Sequence, residues 1–330
     1  MSNLLTIRGQ DIQQNTVPKA SFLRSQLILF NSRRKHGLLY SIATAAGLFC
    51  VPGVIGVMVS ETDIQLLIQR TLPLPFITLM ITVGMFVLND LVDADLDKAN
   101  FKKRPIPSGI VSKNQAWSFI MLTNGAAVAM LIGRLEDLVS VALVVPMILI
   151  GILYSMTKIA FMNRFLVKNV AISLFYMLCI MLGITSIYGI DLAIKNPIVP
   201  IHATAMSGIM IFVGSIVNDL GDTQGDKEAG RHTVPVVLGG KNTVKMLIIL
   251  LASMPAISWM LYETFVGYDR TISIMTPIAV TVTASLALLR MTKIWKVFEN
   301  MDLMRKQHKK WFPLYMVLQL GLVVTALSPL

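Results

Sequence analysis

Two short acidic motifs hold the residues of this sequence that are best suited to chemistry. Residues 89–97 read NDLVDADLD and residues 218–226 read NDLGDTQGD, so both follow the pattern N-D-L-x-D-x-x-x-D. The motifs begin 129 residues apart, and each is followed directly by a lysine, Lys98 or Lys227. A nine-residue pattern repeated in this way indicates two related halves of the chain, and we expect their acidic ends to face each other.

The three pattern aspartates of each motif are spaced i, i+3 and i+7, which predicts that they share one face of a helix. Like charges on one face repel, so near a membrane they need cations to neutralise them. Oxygen-only ligands favour hard ions, above all Mg²⁺, which commonly bridges carboxylates to phosphate oxygens. The sequence therefore predicts two Mg²⁺ ions that hold a diphosphate. The predicted metal ligands, whose aspartates are also the predicted catalytic residues, are Asn89, Asp90, Asp93, Asp97, Asp219, Asp222 and Asp226.

A basic segment that contains proline follows each motif, at 102–109 and at 230–235. Arg104 and Arg231 in these segments are predicted to bind phosphate oxygens as the leaving group departs. The alternative is that they only anchor the loops on the positively charged side of a membrane. The predicted substrate-binding residues next to the motifs are Asn89, Asn218, Lys98, Lys227, Arg104 and Arg231.

The composition is that of an integral membrane protein. Apolar residues make up 55% of the 330 residues and charged residues only 14%, whereas soluble domains carry about 25% charged residues. This excludes a soluble helical enzyme, a nucleic-acid-binding module and a disordered chain. The two cysteines and four histidines show no disulfide or metal-ligand spacing. The polar first 35 residues carry no apolar run of the kind found in a cleavable signal peptide.

Hydropathy predicts an all-α, polytopic bundle of nine transmembrane helices with a central cavity. The predicted spans are Leu38–Ser60, Leu66–Leu88, Ala116–Gly133, Leu138–Tyr154, Val170–Ile190, Pro200–Val217, Met246–Tyr262, Ile272–Leu289 and Trp311–Leu327. With this topology, 25 of the 29 basic residues fall on one side of the membrane. By the positive-inside rule, the N-terminus and both acidic helix ends then face the cytoplasm. We expect the protein to lie in the cell membrane.

The motifs and the spans together resemble the UbiA superfamily of intramembrane prenyltransferases. That superfamily has nine helices, with N-D-x-x-D-x-x-x-D after the second and D-x-x-x-D after the sixth. Here residues 89–97 match the first motif, and Asp222 and Asp226 match the second. The resemblance implies Mg²⁺-dependent transfer of a polyprenyl group from its diphosphate to a lipid-soluble acceptor. It also implies one prenyltransferase domain over residues 36–330, after a polar cytoplasmic segment of residues 1–35.

The acceptor is predicted from a narrower resemblance. The run from Asp97 to Gly109 is similar to the branch that makes digeranylgeranylglyceryl phosphate in archaeal ether-lipid synthesis, and also to chlorophyll synthases. Tyr154 and Lys158, followed by Lys168 and Asn169, also resemble the archaeal branch, which favours a geranylgeranyl donor and geranylgeranylglyceryl phosphate as acceptor. Further predicted substrate-binding residues are Arg33, Tyr154, Lys158, Lys168 and Asn169. The three basic residues equally fit interfacial snorkelling, and Tyr154 fits an interfacial aromatic belt.

Three alternatives remain open from the sequence alone. In the first alternative, the protein is still a prenyltransferase, but its acceptor is an aromatic or quinone precursor, or a chlorophyllide. The second is a cation-coupled transporter, but its acidic residues should lie near mid-span and its repeats are often inverted. The third is a non-catalytic lipid-binding or scaffold protein, which gives no reason for six aligned aspartates. No nucleic-acid partner is expected, since most of the positive charge follows the membrane topology.

Overall fold

The computed structural model describes residues 20–50, 68–69, 71–99, 103–134, 137–155, 164–195, 197–266 and 273–324. All regular secondary structure in these residues is helical, as predicted. The helices are α1 (Phe22–Phe49), α2 (Pro73–Val92), α3 (Ala94–Ala99), α4 (Lys113–Ile132), α5 (Leu138–Ser155), α6 (Val167–Lys195), α7 (Ile198–Leu220), α8 (Thr223–Glu228), α9 (Val234–Leu238), α10 (Gly240–Phe265), α11 (Met275–Trp295), α12 (Met301–Lys309) and α13 (Phe312–Val324).

Seven helices of the described residues are long and apolar enough to cross a membrane, namely α2, α4, α5, α6, α7, α10 and α11. The other two predicted spans coincide with α1 and α13. The second part of the span Leu38–Ser60 lies outside the described residues, and α13 has 13 residues. The chain is therefore a multi-pass membrane protein, and the count of nine spans stays a prediction.

The first helix begins earlier than the hydropathy predicts. α1 starts at Phe22 and runs without a break through the polar stretch to Phe49, because its first turns contain neither proline nor glycine. Leu29 and Arg33 are buried on its inner face. The helix is continuous across residues 35 and 36, so the predicted domain division is not marked by a break in secondary structure.

The helices that carry the acidic motifs lie inside the bundle. In the most apolar 18-residue stretch of α2 and of α7, 61% and 67% is buried inside the bundle, against 28% in α5 and in α10. α2 packs against α1 and α4, and α7 packs against α6 and α10. The outer helices expose large apolar side chains such as Met121, Leu149 and Ile249, as expected of a surface that faces lipid. Both acidic motifs therefore sit at the ends of enclosed helices.

α1 and α6 cross with their backbones in contact. A Cβ atom at Gly183 would lie 2.1 Å from the carbonyl oxygen of Thr44 and 2.9 Å from the Cα atom of Gly47. A Cβ atom at Gly47 would lie 2.2 Å from the carbonyl oxygen of Ile180. Small residues allow this close approach of helices in a membrane. The crossing fixes α1, and with it Arg33, against the helix that carries Lys168.

We expect Gly183→Ala to lower the thermal stability of the purified protein, because the added methyl group meets backbone atoms that cannot move aside. Overpacking of this kind typically costs about 1–3 kcal/mol. The matched control is Gly125→Ala in α4, where a Cβ atom meets nothing within 4 Å and alanine is the better helix former. The midpoint of thermal unfolding in detergent measures both. Equal midpoints for the two variants would contradict the close crossing.

Candidate active site

In each acidic motif the helix is interrupted at the middle aspartate. α2 ends at Val92, Asp93 forms the junction and α3 carries Asp97. The chain continues through this junction with hydrogen bonds from the Asp93 and Asp97 amides to the carbonyls of Asn89 and Asp93, at 2.9 and 2.8 Å. The second motif has the same plan, with Asp222 between α7 and α8. The helix is therefore interrupted within each motif, and the shared face of the three aspartates stays a prediction.

The first motif is neutralised by two guanidinium groups. Asp90 is 2% exposed, and its Oδ2 atom accepts a hydrogen bond of 2.6 Å from Arg33 Nε of α1, with a second contact from Arg33 Nη2 to Oδ1. Arg104 Nη1 lies 2.7 Å from Asp90 Oδ1 and 2.5 Å from Asp97 Oδ2. One guanidinium thus joins the first and third aspartates, so these two carboxylates lie close together.

The second motif is neutralised by a different set of groups. Asp219 has no exposed surface, and its carboxylate pairs with the Lys168 ammonium of α6. Asn169 Nδ2 donates to Asp219 Oδ2 at 3.1 Å and to Ser215 Oγ at 2.8 Å. The start of α6 therefore supplies both a charge and an amide to the buried carboxylate. Asp222 lies nearer the surface and pairs with Arg305 of α12 at 3.2 Å.

Arg231 joins the two motifs. Its Nη2 atom lies 2.9 Å from Asp93 Oδ1 of the first motif, and its Nη1 atom lies 3.7 Å from Asp226 Oδ1 of the second. A Schellman turn places it there: Gly230 has φ +67°, and the Arg231 and Gly230 amides donate to the carbonyls of Asp226 and Lys227. The acidic ends of the two halves thus face each other across one guanidinium.

Two motif oxygens are buried without a hydrogen-bond partner, Asn89 Oδ1 and Asp226 Oδ2. An unsatisfied buried acceptor is costly, and one such atom in each motif suits a hard cation, since carboxylate and amide oxygens are its preferred ligands. Burial raises the pKa of the Asp226 carboxyl, while Lys168 and Arg231 oppose that shift. Within the described residues no three Asp, Glu, His or Cys side chains are already gathered as a metal cluster, because the carboxylates are shared among cationic partners.

An apolar cavity ends at the first motif. Its lining comes from α1, α2, α5 and α6 and consists of Tyr40, Thr82, Met85, Phe86, Asn89, Ile150, Gly151, Tyr154, Ala171, Ile172 and Phe175. Asn89 and Tyr154 are its polar members at the end near the carboxylates. The cavity has a volume of about 70 Å³, so it offers an apolar lining that ends beside Asn89 rather than room for a whole long hydrocarbon chain.

A wide polar cleft of about 890 Å³ lies beside the second motif. It is formed by α8, Arg231 and the segment from Trp295 to Arg305, which connects α11 to α12. Asp222 and Asp226 both line this cleft. The carboxylates therefore lie between an apolar cavity on one side and a polar opening on the other.

The structure brings most of the predicted site residues together, but not all. Lys98 and Lys227 are exposed, and Asn218 is half-buried at the end of α7. Lys158 lies outside the described residues. The predicted residues that take part in the network or line the apolar cavity are Arg33, Asn89, Asp90, Asp93, Asp97, Arg104, Tyr154, Lys168, Asn169, Asp219, Asp222, Asp226 and Arg231.

Three residues near the site were not predicted from the sequence: Arg305, His308 and His36. Arg305 belongs to a run of basic residues that is equally well explained by membrane topology. His308 is half-buried in α12. Burial lowers the pKa of its imidazole, while Asp222 and Asp219 oppose that shift. His36 follows Arg33 by one turn of α1. No motif marks these residues, so only the packing of α1 and α12 identifies them.

The contact between Asp93 and Arg231 is expected to couple the two halves energetically. In a double-mutant cycle with Asp93→Asn and Arg231→Gln in the presence of EDTA, we expect a coupling of about 1–3 kcal/mol, as for neighbouring buried groups. The measurement is the free energy of unfolding in detergent. The matched control is the exposed pair Asp95–Lys113, at 3.8 Å, for which we expect no measurable coupling. Additive effects at Asp93 and Arg231 would contradict the bridge.

Solved structures with the same fold include several UbiA homologues. One, described as giving insight into digeranylgeranylglyceryl phosphate synthase in membranes, has a TM-score of 0.63 at 20% identity and covers 92% of this chain and 98% of its own. A UbiA homologue from Archaeoglobus fulgidus bound to GPP and Mg²⁺ has a TM-score of 0.60 at 17% identity, covering 91% and 99%. At these identities the likeness shows the fold.

Curated relatives with similar sequences are named digeranylgeranylglyceryl phosphate synthase. The protein of Methanosphaera stadtmanae is 25% identical over 49% of this chain and 56% of its own length. That of Sulfolobus acidocaldarius is 28% identical over 60% and 67%. The chain thus spans little more than half the length of the first relative. The sequence profile of the UbiA prenyltransferase family matches residues 47–316. This match covers most of the chain, so the protein belongs to the UbiA prenyltransferase family.

Proposed function

We propose that this protein transfers a geranylgeranyl group from its diphosphate to geranylgeranylglyceryl phosphate, as a step of ether-lipid synthesis. The observation that carries the proposal is the position of the bridged carboxylates at the end of an apolar cavity. Arg231 joins Asp93 to Asp226, and Asn89 lies at the end of the cavity. A molecule with a hydrocarbon tail and a diphosphate head matches that arrangement.

Because the apolar cavity has a volume of about 70 Å³, it takes in only the part of the donor's chain that lies next to the diphosphate. Tyr40 and Phe175 lie edge to face with ring centroids 5.2 Å apart, and both line the cavity. Aromatic walls of this kind bury a prenyl chain without requiring any hydrogen bond from it. Tyr154 lines the end near the carboxylates, where its ring face would steady positive charge on the allylic carbon.

We propose that Mg²⁺ binds at the two motifs, with two ions expected. The A. fulgidus homologue described above is bound to GPP and Mg²⁺. The proposed ligands are Asn89, Asp90, Asp93, Asp97, Asp219, Asp222 and Asp226. When bound, Mg²⁺ neutralises the diphosphate and makes it a better leaving group. The buried, unpartnered oxygens of Asn89 and Asp226 support this assignment.

The basic side chains have a second task in this proposal. Without substrate, Arg104, Arg231 and Lys168 neutralise the carboxylates. With a diphosphate present, each becomes available to bind its oxygens, where a guanidinium forms two parallel hydrogen bonds. These groups also stabilise the charge that develops on the departing diphosphate. The remaining proposed substrate-binding residues are Arg33, Lys98, Lys158, Asn169, Asn218 and Lys227.

The proposed acceptor is geranylgeranylglyceryl phosphate, since the curated relatives share the name digeranylgeranylglyceryl phosphate synthase. An aromatic or quinone precursor and a chlorophyllide are the competing acceptors. The acceptor brings a hydroxyl group to the allylic carbon. Its own phosphate requires a cationic partner near the membrane surface, for which Arg33 and Lys168 are proposed.

The transfer is tested with purified protein, Mg²⁺, radiolabelled geranylgeranyl diphosphate and a panel of acceptors. We expect product with geranylgeranylglyceryl phosphate. In Asp93→Ala/Asp222→Ala we expect a loss on the order of 10²–10³-fold, as when groups that stabilise transition-state charge are removed. The matched control is Asp95→Ala, because the Asp95 side chain is 91% exposed and lies outside the repeated pattern.

The outcomes separate the parts of the proposal. Product only with an aromatic acceptor or a chlorophyllide would keep prenyl transfer and overturn the acceptor. Product that is unchanged in the double variant would overturn the role of the motifs. Absence of Mg²⁺-dependent transfer to every acceptor would overturn the proposed enzymatic function and favour the cation-coupled transporter.

We propose that the protein resides in the cell membrane with its N-terminus and both motifs in the cytoplasm. The charge distribution of the loops supports this orientation. We also propose that residues 36–330 form a single prenyltransferase domain, preceded by a cytoplasmic segment of residues 1–35.

The orientation is tested by cysteine labelling in intact cells. An impermeant maleimide is expected to label Gly133→Cys, which lies in the exposed turn between α4 and α5. Ser108→Cys, in the exposed loop before α4, should react only after permeabilisation. The native Cys50 and Cys179 are buried and give little background. The reverse labelling pattern would overturn the orientation.

A further inference from the structure

Arg305 reaches the second motif from α12, which packs against α7. A Cβ atom at Gly221 would lie 3.1 Å from Arg305 Cγ and 3.4 Å from the Arg305 backbone nitrogen, so α12 rests directly on the motif. Asn300 caps α12 by accepting a hydrogen bond of 3.1 Å from the Leu303 amide, and Met304 is fully buried. The backbone of α12 is therefore held in place beside the motif.

The two motifs differ at the position on which α12 packs. The residue before the middle aspartate is Gly221 in the second motif and Val92 in the first. Val92 is exposed, whereas the absence of a side chain at Gly221 leaves room for both the backbone and the side chain of Arg305. The glycine thus lets α12 bring a guanidinium to the middle aspartate of the second motif.

The guanidinium of Arg305 is held loosely by its present partners. Its Nε and Nη2 atoms lie 3.3 and 3.2 Å from the same oxygen, Asp222 Oδ1, whereas charge-assisted hydrogen bonds are typically about 2.7–2.9 Å long. Its Nη1 atom lies 3.8 Å from Asp302 Oδ1. The Arg305 side chain is about half exposed, and exposed ion pairs contribute little stability. An anion that offers two well-placed oxygens would therefore compete with these carboxylates at little cost.

Arg305 faces the polar cleft of about 890 Å³ beside the second motif. Asp222, Asp226 and Arg231 line the same cleft, and both aspartates are among the proposed Mg²⁺ ligands. A carboxylate that binds a metal ion no longer depends on a guanidinium to neutralise its charge. Arg305 is then free to pair with the phosphate oxygens that its planar fork of donors matches.

We propose that Arg305 is a further diphosphate-binding residue, an inference that rests on the proposed prenyl transfer. Without substrate it pairs with Asp222. With substrate it binds oxygens of the diphosphate from the side of the cleft, by two parallel hydrogen bonds. Arg104 and Lys168 belong to the more buried part of the ionic network. Arg305 therefore meets the diphosphate on the side through which this water-soluble product reaches the surface.

The test measures the binding of inorganic diphosphate to the full-length protein in detergent with Mg²⁺, by isothermal titration calorimetry. We expect Arg305→Ala to weaken binding about 10–100-fold, the range that hydrogen bonds to charged groups contribute. Arg305→Lys should lose less, because it keeps the charge without the fork. The matched control is Lys306→Ala, which should bind as the wild type does, because Lys306 is the exposed neighbour of Arg305 and does not line the cleft.

Steady-state kinetics of prenyl transfer provide a second readout. In Arg305→Ala the KM for the prenyl diphosphate and the inhibition constant of inorganic diphosphate should both rise, while the KM for the acceptor stays unchanged. The midpoint of thermal unfolding should stay at the wild-type value, since an exposed ion pair contributes little stability.

The outcomes separate a binding role from a structural one. Wild-type affinity for diphosphate in Arg305→Ala would overturn the inference. Equal losses in Arg305→Ala and Arg305→Lys, together with a lower thermal midpoint, would also overturn it, because they indicate that Arg305 only holds α12 in place. If Arg305→Ala fails to fold, Arg305→Gln, which keeps much of the bulk without the charge, decides in the same way. Weaker diphosphate binding in the variants of a protein that transfers no prenyl group would support Arg305 and overturn the proposed function. A wild-type protein that binds no diphosphate with Mg²⁺ would overturn both.

Discussion

The burial of carboxylates at the edge of a membrane is the constraint on which the rest of this structure depends. Moving an ionised carboxylate out of water costs several kcal/mol unless it is paired and hydrogen-bonded. Asp90 and Asp219 are almost fully enclosed, so their cationic partners must also be held in place. Arg33 on α1 and Lys168 on α6 are those partners. The backbone contact between α1 and α6 at Gly47 and Gly183 therefore matters to the site as well as to the fold.

The interruption of the helix at the middle aspartate is the second feature that both halves share. Asp93 lies between α2 and α3, and Asp222 lies between α7 and α8. The Schellman turn after α8 then places Arg231, whose guanidinium contacts both Asp226 and Asp93. This contact joins the two acidic helix ends into one site.

The sequence predicts the helical class, the pair of motifs and most members of the ionic network, because these follow from hydropathy and from repeated spacing. It does not predict the junctions at Asp93 and Asp222, since the pattern i, i+3, i+7 is the same for a continuous and for an interrupted helix. It also misses Arg305, because a basic residue after a span is expected for any membrane protein. His36 carries no signal at all in the sequence. Its position depends on the start of α1 at Phe22, in a polar stretch that hydropathy assigns to no span.

The two halves are related by sequence, but different cationic side chains neutralise their carboxylates. This asymmetry bears on function. Both middle aspartates take their cation from the second half of the chain, Asp93 from Arg231 and Asp222 from Arg305. Arg305 is about half exposed and lines the polar cleft, whereas Arg33 is buried on α1. Exposed pairs exchange partners at little cost, while buried pairs do not. The pair Asp222–Arg305, beside the cleft, therefore exchanges partners at least cost. The buried pairs Asp90–Arg33 and Asp219–Lys168 hold until a diphosphate takes the place of the carboxylate as partner.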